Sequence, residues 1–141
     1  MNRTSLILLY MLFSGIVACG TPGKKVAPTT ETAKFFEDDT LHAELTLRNF
    51  YFEPSRIVTE VGKPLKLTFK KRSGFLGIIP HDFNLMAPEA GLDIVNQKVP
   101  GGDGVMILIT PTSVGEFKFF CSKGGHAKKG MVGLLIVKEH L

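Results

Sequence analysis

Apolar and polar residues alternate along most of this chain. From Leu41 onward the period is two: Leu45 and Leu47 alternate with polar residues, and Phe50 and Phe52 continue on one face. A period of two is typical of half-buried strands, because successive side chains point to opposite faces of a sheet. Further short runs that favour strands lie at 57–61, 65–69, 81–86, 105–110, 116–121 and 132–138. The pattern predicts an all-β fold, a Greek-key β-sandwich of about seven to eight strands.

Two stretches depart from simple alternation. Residues 87–101 lack a strand pattern, and we expect a helical turn or a long loop there. Residues 105–110 are almost entirely apolar, as in a strand of a sandwich core. Met86 lies in the predicted strand 81–86 and Met106 in the apolar run 105–110, so both are predicted to be core residues.

The first residues have the pattern of an export signal. Arg3 precedes an apolar segment, and residues 16–19 (IVAC) resemble the bacterial lipobox. We predict a lipoprotein-type signal peptide over 1–18, a lipidated Cys19 with a flexible tether to residue 40, and one domain over 41–141. An ordinary signal peptide with an incidental cysteine is the alternative. The predicted location is the periplasmic or cell-surface face of a bacterial membrane, where Cys19 anchors the exported protein.

Composition and charge narrow the possible functions. The 141 residues are 44% hydrophobic and 21% charged, which is typical of one globular domain. The net charge of +4 is too modest for the concentrated basic stripe of a nucleic-acid-binding protein. A disulfide between the two cysteines is the simplest expectation for an exported protein, but a lipidated Cys19 leaves Cys121 alone. A lone thiol in an oxidising compartment is a liability unless it is buried or bound.

Residues 117–131 carry the most specific chemistry in the sequence. Phe117, Phe119 and Cys121 share one strand face, so Cys121 points inward at the end of the strand. A glycine-rich loop follows, with the spacing Cys121-x4-His126-x4-Met131. A thiolate with imidazole and thioether suits copper, whereas structural zinc rarely uses methionine and iron–sulfur clusters need more cysteines. The loop predicts a site for one Cu(I)/Cu(II) ion, with packing of Met131 away from the metal as an alternative.

A trigonal copper site needs a second histidine. His140 lies in the polar C-terminal tail, and His42 lies where the chain enters the first strand. His81 stands between an apolar loop and a strand that alternates inward, at a position expected at the end of the sandwich. We therefore predict His81 as the fourth candidate ligand.

The residues 80–83 (PHDF), followed by Cys121-x4-His126-x4-Met131, resemble the cupredoxins, or type 1 blue copper proteins. The loop spacing is most similar to that of the rusticyanin and auracyanin branch, and the resemblance covers about residues 41–138. It implies the cupredoxin sandwich and a role in one-electron transfer. It also implies an equatorial plane of His81, Cys121 and His126 with Met131 as a weak axial ligand, and an exposed His126 as the electron exit.

Asp82 departs from the family pattern, in which Asn often follows the first histidine and ties the two ligand loops together. An ionised carboxylate near the copper–thiolate pair would lower the reduction potential, and a buried one would have a raised pKa. Alternatively, Asp82 caps a turn in the neighbouring loop. Both interpretations stay open from the sequence.

The surroundings of the predicted site suggest how partners dock. Lys123, Lys128 and Lys129 flank His126 and form either a solvated loop or a basic rim that steers acidic redox partners. The apolar segment 74–80 precedes His81. We expect it to form a docking patch, with ordinary packing beneath the loop as the alternative.

These features together predict a blue copper electron-transfer lipoprotein with one mononuclear site and no enzymatic activity. The expected partners are redox proteins, for example c-type cytochromes or membrane respiratory complexes, and the membrane itself through the lipid on Cys19. The alternative function is copper binding and delivery or resistance in the periplasm by a protein of the same fold. A structural or assembly lipoprotein is a third possibility.

Overall fold

A computed structural model describes residues 27–35, 38–71 and 79–141 of the chain. The strands are β1 Thr30–Thr32, β2 Lys34–Phe35, β3 Leu41–Arg48, β4 Tyr51–Glu53, β5 Arg56–Glu60, β6 Leu65–Lys71, β7 Asp82–Ala87, β8 Leu92–Lys98, β9 Gly102–Ile109, β10 Gly115–Phe120 and β11 Val132–Lys138. Short 3-10 turns lie at Pro88–Ala90, Lys123–Gly125 and Ala127–Lys129. Within these ranges, no helix has the length and apolar character needed to span a membrane.

The strands form two sheets that face each other. One sheet has the order β1-β5-β11-β10-β7-β8, and the other has the order β2-β3-β6-β9, with β4 paired to β3. Parallel pairs (β3 with β6, β5 with β11) occur beside antiparallel ones, so chain neighbours are repeatedly separated in space. This arrangement confirms the predicted Greek-key β-sandwich. The period of two has its expected cause: in β3 the buried residues alternate with more exposed ones.

Four phenylalanines fill the core between the sheets. Phe83 lies at the centre, with ring centroids 4.8 Å from Phe69, 5.2 Å from Phe119 and 6.2 Å from Phe52. All four side chains are fully buried. Each burial stabilises the fold by about 2–3 kcal/mol, and edge-to-face contacts add about 1 kcal/mol per pair. Because Phe83 is on β7 and Phe119 on β10, this cluster also fixes the two strands that lead to the predicted ligands.

The ordered domain begins earlier than the sequence predicted. Residues 30–35, expected as part of the flexible tether, form β1 and β2 instead. β1 pairs in parallel with β5, and the N–H of Ala33 donates to the carbonyl of Val58 over 2.8 Å. Backbone hydrogen bonds hold this polar segment against a sheet edge, an arrangement that hydrophobic periodicity does not reveal. The predicted signal peptide 1–18, Cys19 and residues 20–26 lie outside the described ranges.

Residues 87–101 contain both a turn and an unexpected strand. The 3-10 turn at Pro88–Ala90 agrees with the prediction, but β8 follows it and pairs with β7. Leu92 and Ile94 point toward the core, while Asp93 and Val95 are exposed. A shift of register near Asn96, whose φ is 54°, interrupts this alternation. The register shift and the edge position of β8 explain why the sequence shows no simple strand pattern here.

The predicted burial of two methionines is wrong. Met86 is 58% exposed and Met106 is 62% exposed. Met106 lies on the outer face of β9, the edge strand of its sheet, while Val105, Ile107 and Ile109 pack against the core from the other face. The strand is apolar on both faces, so its composition conceals which face is buried.

A glycine in β11 is required by the packing of Phe119. A Cβ at Gly133 would overlap the Phe119 ring and would lie 2.6 Å from the carbonyl oxygen of Ser55. We predict that Gly133→Ala lowers the free energy of unfolding by about 3 kcal/mol, because the ring or the backbone must shift. Urea unfolding followed by far-UV circular dichroism measures the change.

Gly101 provides the matched control for this prediction. A Cβ there meets nothing within 4 Å, so Gly101→Ala should change stability by no more than about 0.5 kcal/mol. Equal losses in the two variants would contradict the assigned packing of Phe119 over Gly133.

Candidate metal centre

Three buried donors meet at one end of the sandwich. His81, Cys121 and His126 have ligand atoms that all lie within 4.8 Å of one another. The Sγ of Cys121 is 3.4 Å from Nδ1 of His126 and 3.9 Å from Nδ1 of His81. The cysteine is fully buried, and the two histidines are only 4% and 6% exposed. The structure thus brings together a thiol and two imidazoles in the order that the sequence predicted.

The pairing of β7 with β10 brings two of these donors together. His81 directly precedes β7, Cys121 directly follows β10, and the strands pair antiparallel through Leu85 with Phe119 and Asn84 with Phe120. In an antiparallel pair the start of one strand lies beside the end of the other. Residues 40 positions apart therefore become neighbours at the same edge of the sheet.

The loop between β10 and β11 supplies the third donor. Two consecutive 3-10 turns place His126 at their junction, where its N–H donates to the carbonyl of Lys123 over 2.7 Å. The N–H of Met131 donates to the carbonyl of His126, and the N–H of Cys121 donates to the carbonyl of Met131. These bonds fold the loop back on itself, so that the three candidate ligands of the loop are tied through the backbone.

Met131 is fully buried at the end of this loop. Its main chain is hydrogen-bonded to Cys121 and to His126, the other two ligand residues of the loop. An axial role for its thioether remains a prediction from the spacing and the family resemblance.

Asp82 joins the two ligand segments. Its Oδ1 accepts hydrogen bonds from the N–H of Ser122 at 2.7 Å and from Nδ2 of Asn84 at 3.1 Å. Its Oδ2 accepts one from the Ser122 hydroxyl at 2.6 Å and pairs with Nζ of Lys123 at 3.3 Å. Asp82 is the first residue of β7 and directly follows His81, and Ser122 directly follows Cys121. This carboxylate therefore bridges the segments that carry His81 and Cys121. It does in this chain what the family's Asn is expected to do.

The charge of Asp82 is stabilised despite its complete burial. Burial alone would raise the pKa of this carboxyl, but the hydrogen bonds from Ser122, Cys121 and Lys123 lower it below the ordinary value. The structure therefore favours the interpretation that Asp82 caps the neighbouring loop, and it supports an ionised carboxylate there. The expectation of a raised pKa is wrong, because the sequence did not reveal how many donors surround the side chain.

In the metal-free protein, the shifted pKa values of the three donors favour neutral imidazoles on His81 and His126 and a protonated thiol on Cys121. Burial, aided by the charges of His126 and Lys71, lowers the pKa of His81 to about 4. Burial also lowers the pKa of His126 and raises the pKa of the Cys121 thiol. At neutral pH both imidazoles can bind a metal without losing a proton, whereas the thiol must release one.

This donor set fits a copper ion. Bonds of about 2.0 Å to nitrogen and about 2.3 Å to sulfur separate two donors by roughly 3.5–3.7 Å at tetrahedral to trigonal angles. The observed separations of 3.4 Å and 3.9 Å bracket that range. A single thiolate with two imidazoles is typical of copper sites with a weak axial ligand, whereas structural zinc usually has four Cys or His donors. The cluster supports the predicted cofactor, one copper ion held by His81, Cys121 and His126.

The other predicted residues are not among the three donors of the cluster. His140 is exposed near the C-terminus, and His42 is half-buried on β3. Lys128 and Lys129 are exposed, whereas Lys123 forms an ion pair with Asp82. Most of the apolar segment 74–80 falls outside the described ranges, apart from a half-buried Ile79 and an exposed Pro80. The expected exposure of His126 is wrong, since the side chain is nearly covered.

The sequence did not reveal the residues that support the site. Ser122 and Asn84 bond to Asp82, and Phe50 packs its ring against His126 with centroids 4.9 Å apart. Ser122 directly follows the candidate ligand Cys121, so its position in the sequence indicates a residue close to the site. Phe50 and Asn84 reach the site through strand pairing, which no local pattern predicts.

The chain belongs to the cupredoxin-like family, whose domain profile matches residues 11–137. One structural neighbour is the metal-binding domain of the Streptococcus pneumoniae D39 Cu(I)-exporting P-type ATPase CopA, with TM-score 0.57, 18% identity, and coverage of 81% of this chain and 100% of that one. Auracyanin from Roseiflexus castenholzii has TM-score 0.54 and 16% identity, with coverage of 69% of this chain and 96% of that one. Rusticyanin variants have TM-score 0.53 and 24% identity, with coverage of 81% of this chain and 85% of that one.

The family and the fold are thus confirmed, and auracyanin and rusticyanin, the branch that the loop spacing resembled, are among the neighbours. At these low identities the structural neighbours establish the fold alone. A search of curated proteins finds no match for the chain.

The Asp82 bridge can be tested in the metal-free protein. We predict that Asp82→Ala lowers the free energy of unfolding by about 3 kcal/mol, because it leaves the N–H of Ser122 and one of the two N–H groups of the buried Asn84 amide without an acceptor. Asp82→Asn keeps one acceptor oxygen and should cost only about 1 kcal/mol. Denaturant unfolding curves of the copper-free protein measure both values.

Asp93→Ala is the control, because Asp93 is exposed on β8 and should tolerate the change within about 0.5 kcal/mol. If Asp82→Ala proved as mild as Asp93→Ala, the bridge would have no role in stability.

The lowered pKa of His81 makes the metal-free fold sensitive to acid. The native state holds His81 neutral down to about pH 4, whereas the unfolded chain protonates it near the ordinary value of 6.5. Since the unfolded state binds more protons between these values, stability should fall as the pH drops through this window, by up to about 3 kcal/mol in total.

Urea midpoints of the copper-free protein, measured from pH 7 to pH 4, test this pH dependence. His81→Gln cannot titrate, so its profile should be flatter, with the remaining slope coming from His126. An unchanged slope in His81→Gln would contradict the assigned cause.

Proposed function

We propose that this protein is a blue copper electron carrier with one mononuclear site. His81, Cys121 and His126 are its main ligands and Met131 its weak axial ligand. The observation that carries the proposal is the buried cluster of one thiol and two imidazoles on a cupredoxin fold. A metal in that cluster supplies a one-electron couple, and the chain's own residues hold the donors in one arrangement.

The scaffold around the donors suits electron transfer. The β7–β10 pairing and the Asp82 bridge fix His81 and Cys121, and the backbone bonds of the loop fix His126. When the donors move little between oxidation states, little energy is spent on reorganisation as the electron moves. Within the described ranges one such cluster occurs, as a mononuclear carrier requires.

Copper delivery or resistance is the second candidate. The S. pneumoniae neighbour is a domain of a Cu(I)-exporting ATPase, and it was solved with Cu(I). The same fold therefore also serves copper handling. The low exposure of His81 and His126 favours retention of the ion over ready exchange.

We further propose that the protein is an exported lipoprotein, held by Cys19 on the outer side of a bacterial membrane. Its redox partners are acidic surfaces on proteins such as c-type cytochromes or membrane respiratory complexes. The exposed Lys128 and Lys129 beside the site support an electrostatic preference for such surfaces.

Copper titration tests the function directly. The purified full chain in mild detergent should take up one equivalent of Cu(II) and become intensely coloured through thiolate-to-copper charge transfer. Cys121→Ser should abolish the colour while the fold is retained, because serine offers no soft donor. Visible absorption and electron paramagnetic resonance measure both effects.

Cys19→Ser is the matched control for the other thiol. It should keep the full colour while losing attachment to the membrane fraction. Colour that survives Cys121→Ser, or a folded wild type that stays colourless, would refute the copper site. Rapid copper transfer to an acceptor together with slow electron self-exchange would favour delivery over electron transfer.

A further inference from the structure

We propose that Phe50, steadied by Lys129, forms a cap over His126 that holds this ligand in place and slows the loss of the metal. The inference rests on the proposed copper site and adds a means by which that site retains its ion. Phe50 acts through His126 and is therefore a positioning residue.

The cap is defined by an edge-to-face contact between two rings. The centroids of Phe50 and His126 are 4.9 Å apart, with planes at 74°, a geometry that aromatic pairs favour. His126 is only 6% exposed although its loop neighbours Gly125 and Lys128 are exposed. The cover over the imidazole therefore comes partly from outside the loop, from the turn between β3 and β4.

Gly124 closes a second side of the imidazole. A Cβ at Gly124 would lie 3.3 Å from Nε2 and 3.5 Å from Cδ2 of His126. Nδ1, on the other side of the ring, faces Sγ of Cys121. The imidazole is thus bounded by Cys121, Gly124 and Phe50. Of these boundaries, Phe50 is the one whose removal leaves the loop sequence unchanged.

Lys129 ties the cap to the ligand loop. Its Nζ lies 4.4 Å from the centroid of the Phe50 ring, within the range of a cation–π interaction. Its backbone N–H donates to the carbonyl of His126 over 3.0 Å. One residue therefore contacts both the capping ring and the main chain of the ligand that the ring covers.

The backbone of Phe50 supports a functional reason for this residue. Its φ of 64° lies in the left-handed region, which glycine and asparagine tolerate and which a bulky aromatic residue rarely adopts. Strained residues persist where the surrounding structure holds them and are concentrated at functional sites. At this turn a glycine would satisfy the backbone better, but it would lack the ring that contacts His126.

The first experiment uses the copper-free full chain. Phe50→Gly removes the ring and suits the local φ, so the fold should be retained, while Phe50→Tyr keeps the ring as a rescue variant. The rate of carbethoxylation of His126 by diethyl pyrocarbonate, quantified by mass spectrometry, should rise about tenfold or more in the glycine variant. The tyrosine variant should match the wild type, and the displaced chemical shifts of the His126 ring protons should be lost only in Phe50→Gly.

The second experiment follows transfer of Cu(I) from the loaded full chain to a colorimetric Cu(I) chelator. We expect transfer to be about 10–100-fold faster in Phe50→Gly, in line with losses of supporting contacts around metal ligands. Lys129→Met should accelerate it about two- to fivefold through loss of the cation–π contact. Lys128→Met removes the same charge from a neighbouring position and should leave the rate unchanged.

The outcomes separate the cap from the copper site itself. A folded wild type that binds no copper overturns both the proposed function and the retention role. Normal copper binding with equal carbethoxylation and transfer rates in wild type and Phe50→Gly overturns the cap alone. Equal acceleration by Lys128→Met and Lys129→Met would show a general effect of charge and would overturn the role of Lys129.

Discussion

The hydrogen bonds between Asp82 and Ser122 hold together the two segments on which the metal centre depends. The backbone pairing of β7 with β10 ends at Asn84 and Phe120, short of His81 and Cys121. The Asp82 carboxylate continues that connection with two bonds to Ser122. A buried carboxylate is costly unless its oxygens are satisfied, and here each oxygen has two donors. The cost of burial is thereby offset where the two ligand segments must meet.

The core extends this constraint to the rest of the fold. His81 lies two residues from Phe83, and Cys121 lies two residues from Phe119, and these two rings pack with centroids 5.2 Å apart. Interiors packed like organic crystals resist small displacements. The separation of the first two donors therefore follows from the packing of the sandwich. His126 has no such anchor and depends instead on the hydrogen bonds of its loop and on the rings around it.

The sequence predicted what depends on local spacing. The sequence predicts the alternating burial of β3 because a strand has a period of two. It predicts His81, Cys121 and His126 as ligands because ligand loops have fixed lengths. The sequence does not predict which strands lie at the edge of a sheet. The environments of Met106 on β9 and of the segment 30–35 depend on which strands lie beside them. Two interpretations of Asp82 stayed open for the same reason, since Ser122 is 40 residues away.

Burial of the ligands also bears on the choice between electron transfer and copper delivery. A delivery site must let an acceptor's donors replace its own one at a time, which requires at least one ligand that can swing into solvent. In this chain, His81 and His126 are nearly covered and Cys121 is completely buried. An electron needs no such opening, because it can pass through a thin layer of side chains while every ligand stays in place. The enclosure of His126 is therefore compatible with electron transfer as it stands, whereas delivery would require the loop or its cover to open first.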